Sequence, residues 1–168
     1  VLKRDESTSF LFFVLWSFNT DNDNAMNQRY CYDYPRPAVT TDCAIFGYDE
    51  GVVKILLIER GHPPFKGCYA LPGGFLDMDE TTIEGARREL KEETGLDGVD
   101  LIEIAVFSGV DRDPRGRTIS VVYYGIADIA KDVVTAGDDA RSFCWFDINA
   151  LPPLAFDHAL VIERAIKQ

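Results

Sequence analysis

Glu89, Glu92 and Glu93 stand at i, i+3 and i+4 in the segment RELKEE, residues 88–93. On a helix this spacing puts the three carboxylates on one face, where like charges cost about 0.2–0.5 kcal/mol per pair. Such a cluster belongs either to a solvated face or to a bound cation. Carboxylate oxygens are hard ligands that suit Mg²⁺ or Mn²⁺, ions that commonly also take substrate phosphates. Arg88 precedes the cluster and is placed to hold a glutamate through a bidentate pair. Glu80 is placed to reach back to Arg88 or across to a metal-bound water. Gly73 and Gly74 let the backbone approach the helix closely, which makes the Gly73 carbonyl a further candidate ligand.

The elements that must position these groups are legible around them. Thr81 and Glu84 form a possible capping box, Ile83, Ala86, Arg87 and Leu90 fall on one side of the helix, and Gly95 suits the C′ position. Upstream, AVTTDCAIFGY and VVKILLIER are two β-branched runs separated by DEG (residues 49–51), a hairpin. The Gly- and Pro-rich loop over residues 61–74 holds a short strand at 69–71. Two further strands are expected at 101–110 and 118–128, joined by the charged loop DRDPRGR, and a last one at 142–148. A Pro-rich turn then leads into a C-terminal helix capped by Asp157. This order predicts a mixed sheet covered by helices, an α/β sandwich.

With 168 residues, 46% of them hydrophobic, the chain holds one well-cored domain. A formal net charge of −11 excludes nucleic-acid binding through a general electrostatic footprint. A phosphate ligand must be neutralised locally, as a divalent cation would do. The four cysteines show no zinc spacing and read as reduced thiols of a cytoplasmic protein. The two histidines, His62 and His158, suggest no metal site. Residues 1–33 are expected to be a leader, disordered or non-native in part, with the native domain starting near Met26 and the folded domain covering 34–168. The apolar run FLFFVLW within the leader is too short for a bilayer, which needs about 20 residues, so no membrane partner is expected.

Gly74, Glu80, Arg88-Glu89-Leu90, Glu92-Glu93 and Gly95-Leu96, at intervals of five, seven, one and one residues, resemble the complete Nudix box. At average residue usage a chance match is on the order of 10⁻⁷. The resemblance implies a Nudix-type α/β/α sandwich with a mixed sheet. It also implies Mg²⁺-dependent hydrolysis, with Mn²⁺ as an alternative ion, of a nucleoside diphosphate linked to another moiety. Carried onto this chain, Glu89 and Glu93 are the principal metal ligands, Glu92 joins or supports them, the Gly73 carbonyl is a possible ligand, and Arg88 is the orienting residue. Catalytic roles are expected for Glu92, Glu93, Arg88 and Glu80.

Three segments outside the box, residues 34–42, 111–125 and 136–158, resemble the ADP-ribose pyrophosphatase branch. Arg112, Arg115 and Arg117 form a cluster that either grips a phosphate or terminal ribose or sits in a solvated turn. Phe75, Phe107 and Tyr124 are candidates to stack on a base, although such residues are more often core or strand surface. Asp138 or Asp139, with Asp139 the chosen residue, is the candidate for a base recruited from a distant loop. The expected reaction is ADP-ribose to AMP and ribose 5-phosphate. The alternatives are a nucleoside triphosphate (including oxidised nucleotide) pyrophosphohydrolase and a non-catalytic ADP-ribose sensor. A related branch joins this domain to a winged-helix repressor module. None is expected here, with about ten residues after His158 and this net charge. A homodimer is possible.

Overall fold

The run AVTTDCAIFGYD forms the central strand β1 (Ala38–Asp49), and three other strands pair with it. The computed structural model describes residues 32–130 and 142–168. The chain divides into Val1–Pro35 and Arg36–Gln168. The first unit is described only over residues 32–35, which are exposed and form neither strand nor helix. All that follows concerns the second.

β2 (Val52–Glu59) returns antiparallel to β1, with Asp49 opposite Val52. Glu50 and Gly51 between them both have positive φ, 48° and 89°. That backbone matches the right-handed twist of the flanking strands, and glycine adopts it without steric cost. β3 (Tyr69–Ala70) and β7 (Phe143–Asp147) pair antiparallel with β2. β4 (Gly73–Phe75) pairs antiparallel with the start of β1, Thr41 opposite Gly74 and Asp42 opposite Gly73. β6 (Thr118–Ile126) runs parallel to β1, and β5 (Ile102–Phe107) closes that edge antiparallel to β6. The sheet is therefore mixed, as expected.

The alternation along β1 sorts its side chains onto two faces. Cys43 and Ile45 join Leu56 and Tyr123 against Ala86 and Leu90 of α1 (Thr82–Thr94). Ala44 joins Ile55, Leu57 and Val122 against Val161, Ile162 and Ala165 of α2 (His158–Ala165). Two helices on opposite faces of one sheet make an α/β/α sandwich. Each fully buried Ile or Leu in these clusters contributes roughly 1.5–3 kcal/mol. Among the described residues no helix is long and apolar enough to cross a membrane.

Four local expectations are corrected. β4 was not foreseen, because Gly-Gly has little strand preference and this strand exists through its pairing with β1. β5 ends at Phe107 rather than 110 and carries an irregularity between Glu103 and Ala105. Arg87 is exposed while its neighbour Ala86 is buried. Asp157 precedes α2 but makes no side-chain cap, since its carboxylate is bound elsewhere.

The layer assignment has a direct test. Leu90 is 2% exposed between α1 and the sheet. Leu90→Ala should destabilise the fold by about 2–5 kcal/mol, read from urea unfolding. A change within error would mean that α1 is not held by this face.

Candidate active site

α1 is pinned at both ends, which fixes what its middle presents. Thr81 donates its backbone N–H and its hydroxyl to Glu84 Oε2, at 2.8 and 2.6 Å. Gly95 ends the helix with φ 75° and donates to the Lys91 carbonyl. Arg88 is the hub of the exposed side. Its Nε and Nη2 donate to the two Glu80 oxygens at 3.0 and 2.6 Å. Nη1 donates to Glu89 Oε1 at 2.8 Å and Glu92 Oε2 at 3.2 Å, and Nη2 also reaches the Phe75 carbonyl. Glu80 in turn accepts the Asp77 N–H. The Arg88 hydrogen bonds, with that of Asp77, hold the Glu80 carboxyl down to about 2.

Glu89 and Glu93 lie deeper. Gly73 donates its N–H to Glu93 Oε2 at 2.8 Å. A Cβ on Gly74 would come 2.3 Å from Glu89 Oε1, so only glycine leaves room for that carboxylate. Burial pushes Glu93 up to about 8, with the charges of Glu89 and Asp42 adding to it against the Gly73 N–H and Arg60. Burial also raises Glu89, against the pull of Arg88.

Three observations bear on whether a divalent cation fits. The inner donors are all hard oxygens: Glu89, Glu93 and the neighbouring Gly73 carbonyl. Burial opposes ionisation of both carboxylates, of Glu89 despite its bond to Arg88, and a cation would favour the ionised pair. The Thr41 hydroxyl is buried with no hydrogen-bond partner. It stands opposite Gly74, on the face where Glu89 lies. These residues fit Mg²⁺ or Mn²⁺. Among the described residues, no three acidic, histidine or cysteine side chains stand at the spacing of a finished metal centre. Glu92, expected to join or support the other two glutamates, lies on the outside of the cluster. Its side chain is 61% exposed and bound to the outer side of Arg88, because i, i+4 spacing puts it beside the guanidinium.

Beyond Gly74 opens a pocket whose wall includes Asp42, Arg60, Phe75, Arg115, Phe156 and His158. The loop arginines expected to act as one cluster are separated here. Arg112 is 5% exposed and clamps Asp157 through Nε and Nη2, at 3.0 and 2.7 Å. Arg117 donates to the carbonyls of Gly109 and Thr118 and does not line the pocket. Arg115 lines the same pocket as Arg112, with its guanidinium 4.9 Å from the Phe75 ring and 5.3 Å from Phe156, steadied by Asp113. Phe107 and Tyr124 pack into the core beneath α2. Asp138 and Asp139 lie outside the described residues.

Sequence reasoning missed Arg60, Asp42, Phe156 and His158. Arg60 ends the β2 side of the pocket and lies 4.8 Å over the Phe156 ring. Burial, and then the Arg115 charge, lower its pKa, against the pull of Glu93 and Asp113. The available signal was a lone arginine after the apolar run ILLIE. A second hollow, lined by Asp97, Asp100, Ile102, Tyr124 and Ile126 among others, contains no basic residue and does not suit a phosphate compound.

Residues 36–165 match the NUDIX domain. The chain belongs to the Nudix family. It is 49% identical over 130 residues to an ADP-ribose pyrophosphatase of Methanocaldococcus jannaschii, a match covering 77% of this chain and 73% of that one. An ADPR-responsive transcriptional repressor of Acinetobacter baylyi is 36% identical over 136 residues, 79% of this chain and 54% of the repressor. This Nudix chain thus spans about half the repressor's length. Among solved structures, the NUDIX domain of Shewanella oneidensis NrtR complexed with ADP ribose aligns with a TM-score of 0.76 at 27% identity, over 88% of this chain and 97% of that one.

The Arg88 hub gives a pH prediction. A carboxyl depressed in the folded state adds stability above its unfolded pKa, and loses it as pH falls through the folded value. The Glu80 contribution should therefore fade from about pH 4.5 down to about 2. In Arg88→Ala the Glu80 carboxyl carbon, followed by NMR, should titrate well above the wild-type midpoint. An unchanged midpoint would remove Arg88 as the cause.

Proposed function

We propose that this chain is a Mg²⁺-dependent hydrolase that cleaves ADP-ribose to AMP and ribose 5-phosphate. One observation carries the reading: the turn at Gly73–Phe75 has the desolvated Glu89 and Glu93 on one side and Arg60 and Arg115 on the other. A diphosphate at that turn would meet the guanidinium groups and, beside them, the carboxylates that would hold a neutralising cation. The similarity to an ADP-ribose pyrophosphatase supports the choice of substrate.

The chain's own residues have distinct tasks. Glu89, Glu93 and the Gly73 carbonyl hold the cation. Arg88, fixed by Glu80, keeps the Glu89 carboxylate in line. Arg60 holds the phosphates, since a guanidinium fork matches phosphate oxygens, and Arg115 holds the distal half, the terminal ribose with its phosphate. Phe75 and Phe156 offer ring faces to a sugar or base. When bound, Mg²⁺ neutralises the diphosphate and stabilises the charge that develops as the bond breaks. One water is consumed: its oxygen joins one phosphorus, the bridging P–O bond breaks, and two phosphomonoesters leave.

The deciding measurement is a panel of ADP-ribose, other nucleotide sugars, dinucleotides and nucleoside triphosphates with Mg²⁺. ADP-ribose should have the highest kcat/KM. Preference for triphosphates would overturn the substrate assignment, and ADP-ribose binding without turnover would assign the chain to sensing.

Two variants test the roles. Glu93→Gln should lower kcat by at least roughly 10²-fold with little change in melting temperature, because it removes charge that faces the cation. Arg115→Ala should raise KM for ADP-ribose by roughly 10-fold and change kcat little, as expected for a group that binds ground and transition states alike. The KM effect should be smaller for a triphosphate, which has no terminal ribose. Equal effects on both substrates would show that Arg115 does not read the distal half.

A further inference from the structure

We infer that His158 is a positioning residue for the active-site turn, holding Leu71 so that Gly73 meets Glu93. The inference rests on the hydrolase reading above, since that reading makes the turn catalytic.

The geometry begins at the outer edge of β3. Tyr69 donates its N–H to the Pro153 carbonyl at 2.9 Å, and Ala155 donates to the Tyr69 carbonyl at 2.8 Å. The segment before α2 thus runs alongside β3 like a short extra strand. The next outward donor on that edge is the Leu71 N–H. No backbone carbonyl meets it, because the chain turns away at Phe156, whose φ is 53°. His158 Nδ1 accepts it instead, at 2.9 Å. Pro72 has no N–H, so the following donor is Gly73, which bonds Glu93 Oε2 at 2.8 Å. Alternate residues 69, 71 and 73 therefore end on Pro153, His158 and Glu93. The imidazole is the middle tie, one step from the glutamate.

The imidazole is itself held. It is 4% exposed. Since Nδ1 accepts, its proton is on Nε2, which faces Asp42 Oδ1 at 3.7 Å. Asp42 accepts the Ser120 hydroxyl, and Arg112 grips the adjacent Asp157. Burial favours the neutral ring that acceptance requires; Asp42 and Asp157 oppose this, while Arg112 and Arg60 assist it. Arg112, which lines the pocket, also fixes the start of α2 and, through it, His158.

The test compares full-length His158→Leu, which has no acceptor, with His158→Asn, whose side-chain oxygen lies near the former Nδ1. His158→Leu should lower kcat for ADP-ribose by roughly 10–100-fold while KM stays within about 3-fold, because a small misplacement of a catalytic group acts on the chemical step. His158→Asn should recover most of the loss, which a side chain needed only for packing would not do. A cooperatively unfolding His158→Leu with wild-type kcat overturns the inference, as does a folded His158→Asn as impaired as the leucine variant. If His158→Leu does not fold, His158→Asn stands alone: near-wild-type kcat supports the role and a large loss overturns it. A readout independent of turnover is the through-hydrogen-bond coupling between the Leu71 amide nitrogen and His158 Nδ1 in ¹⁵N-labelled wild type. Its presence supports the tie and its absence overturns it. If the wild type binds ADP-ribose without hydrolysing it, the hydrolase reading fails, and this coupling alone decides whether His158 holds the turn.

Discussion

The Glu89 carboxylate occupies the space that a side chain on Gly74 would need, 2.3 Å from where the Cβ would be. That close approach depends on all three layers. β4 must pair with β1 so that Gly74 faces Thr41. α1 must lie against the sheet through Ala86 and Leu90, which brings Glu89 down onto the glycine. Gly73 must follow its own constraint, since a Cβ there would come 2.1 Å from the Thr41 carbonyl. The helix and the turn therefore meet backbone to carboxylate, with no side chain between them. A carboxylate held this way is positioned by the core as well as by its own flexible stem.

Burial and charge oppose one another on either side of this contact. Burial works against the ionised forms of Glu89 and Glu93, and Arg88 compensates only the former directly. Arg60 and Arg115 approach each other around the Phe156 ring. In a chain of net charge −11, an acidic partner for these arginines would be easy to supply. Arg115 has Asp113, yet Arg60 still feels the Arg115 charge. A metal-bound diphosphate would add a cation beside these carboxylates and an anion beside these guanidinium groups. Local conflicts of this kind mark functional sites in folds that are otherwise consistent.

What was legible in the sequence is what is local. The intervals of the box, the DEG turn and the glycine closing α1 are short-range statements, and the backbone follows them. The mixed sheet followed from the order of apolar runs. The missing parts depend on residues far apart in the chain. β4 is a strand only because β1 lies beside it. Arg112, Arg115 and Arg117 look alike within DRDPRGR, but Asp157, 45 residues beyond Arg112, separates their fates. His158 was set aside as an isolated histidine. Its partner Leu71 is 87 residues away, and no spacing rule connects them.

The diversion of Asp157 shows how this separation was achieved. A side-chain N-cap contributes typically about 1 kcal/mol, and α2 forgoes it. A desolvated ion pair offsets that loss only with good geometry and further hydrogen bonding. The Arg112–Asp157 pair has the geometry, two nearly parallel hydrogen bonds at 3.0 and 2.7 Å, and Asp42 lies 3.7 Å from the same guanidinium. A local cap would have fixed the helix start only to its own amides. The ion pair fixes it to the loop that carries Arg115, while Phe156, one residue before Asp157, lends its ring to both Arg60 and Arg115. The start of α2, the arginine loop and the pocket wall are therefore tied together, and the placement of Arg115 is coupled to the placement of His158.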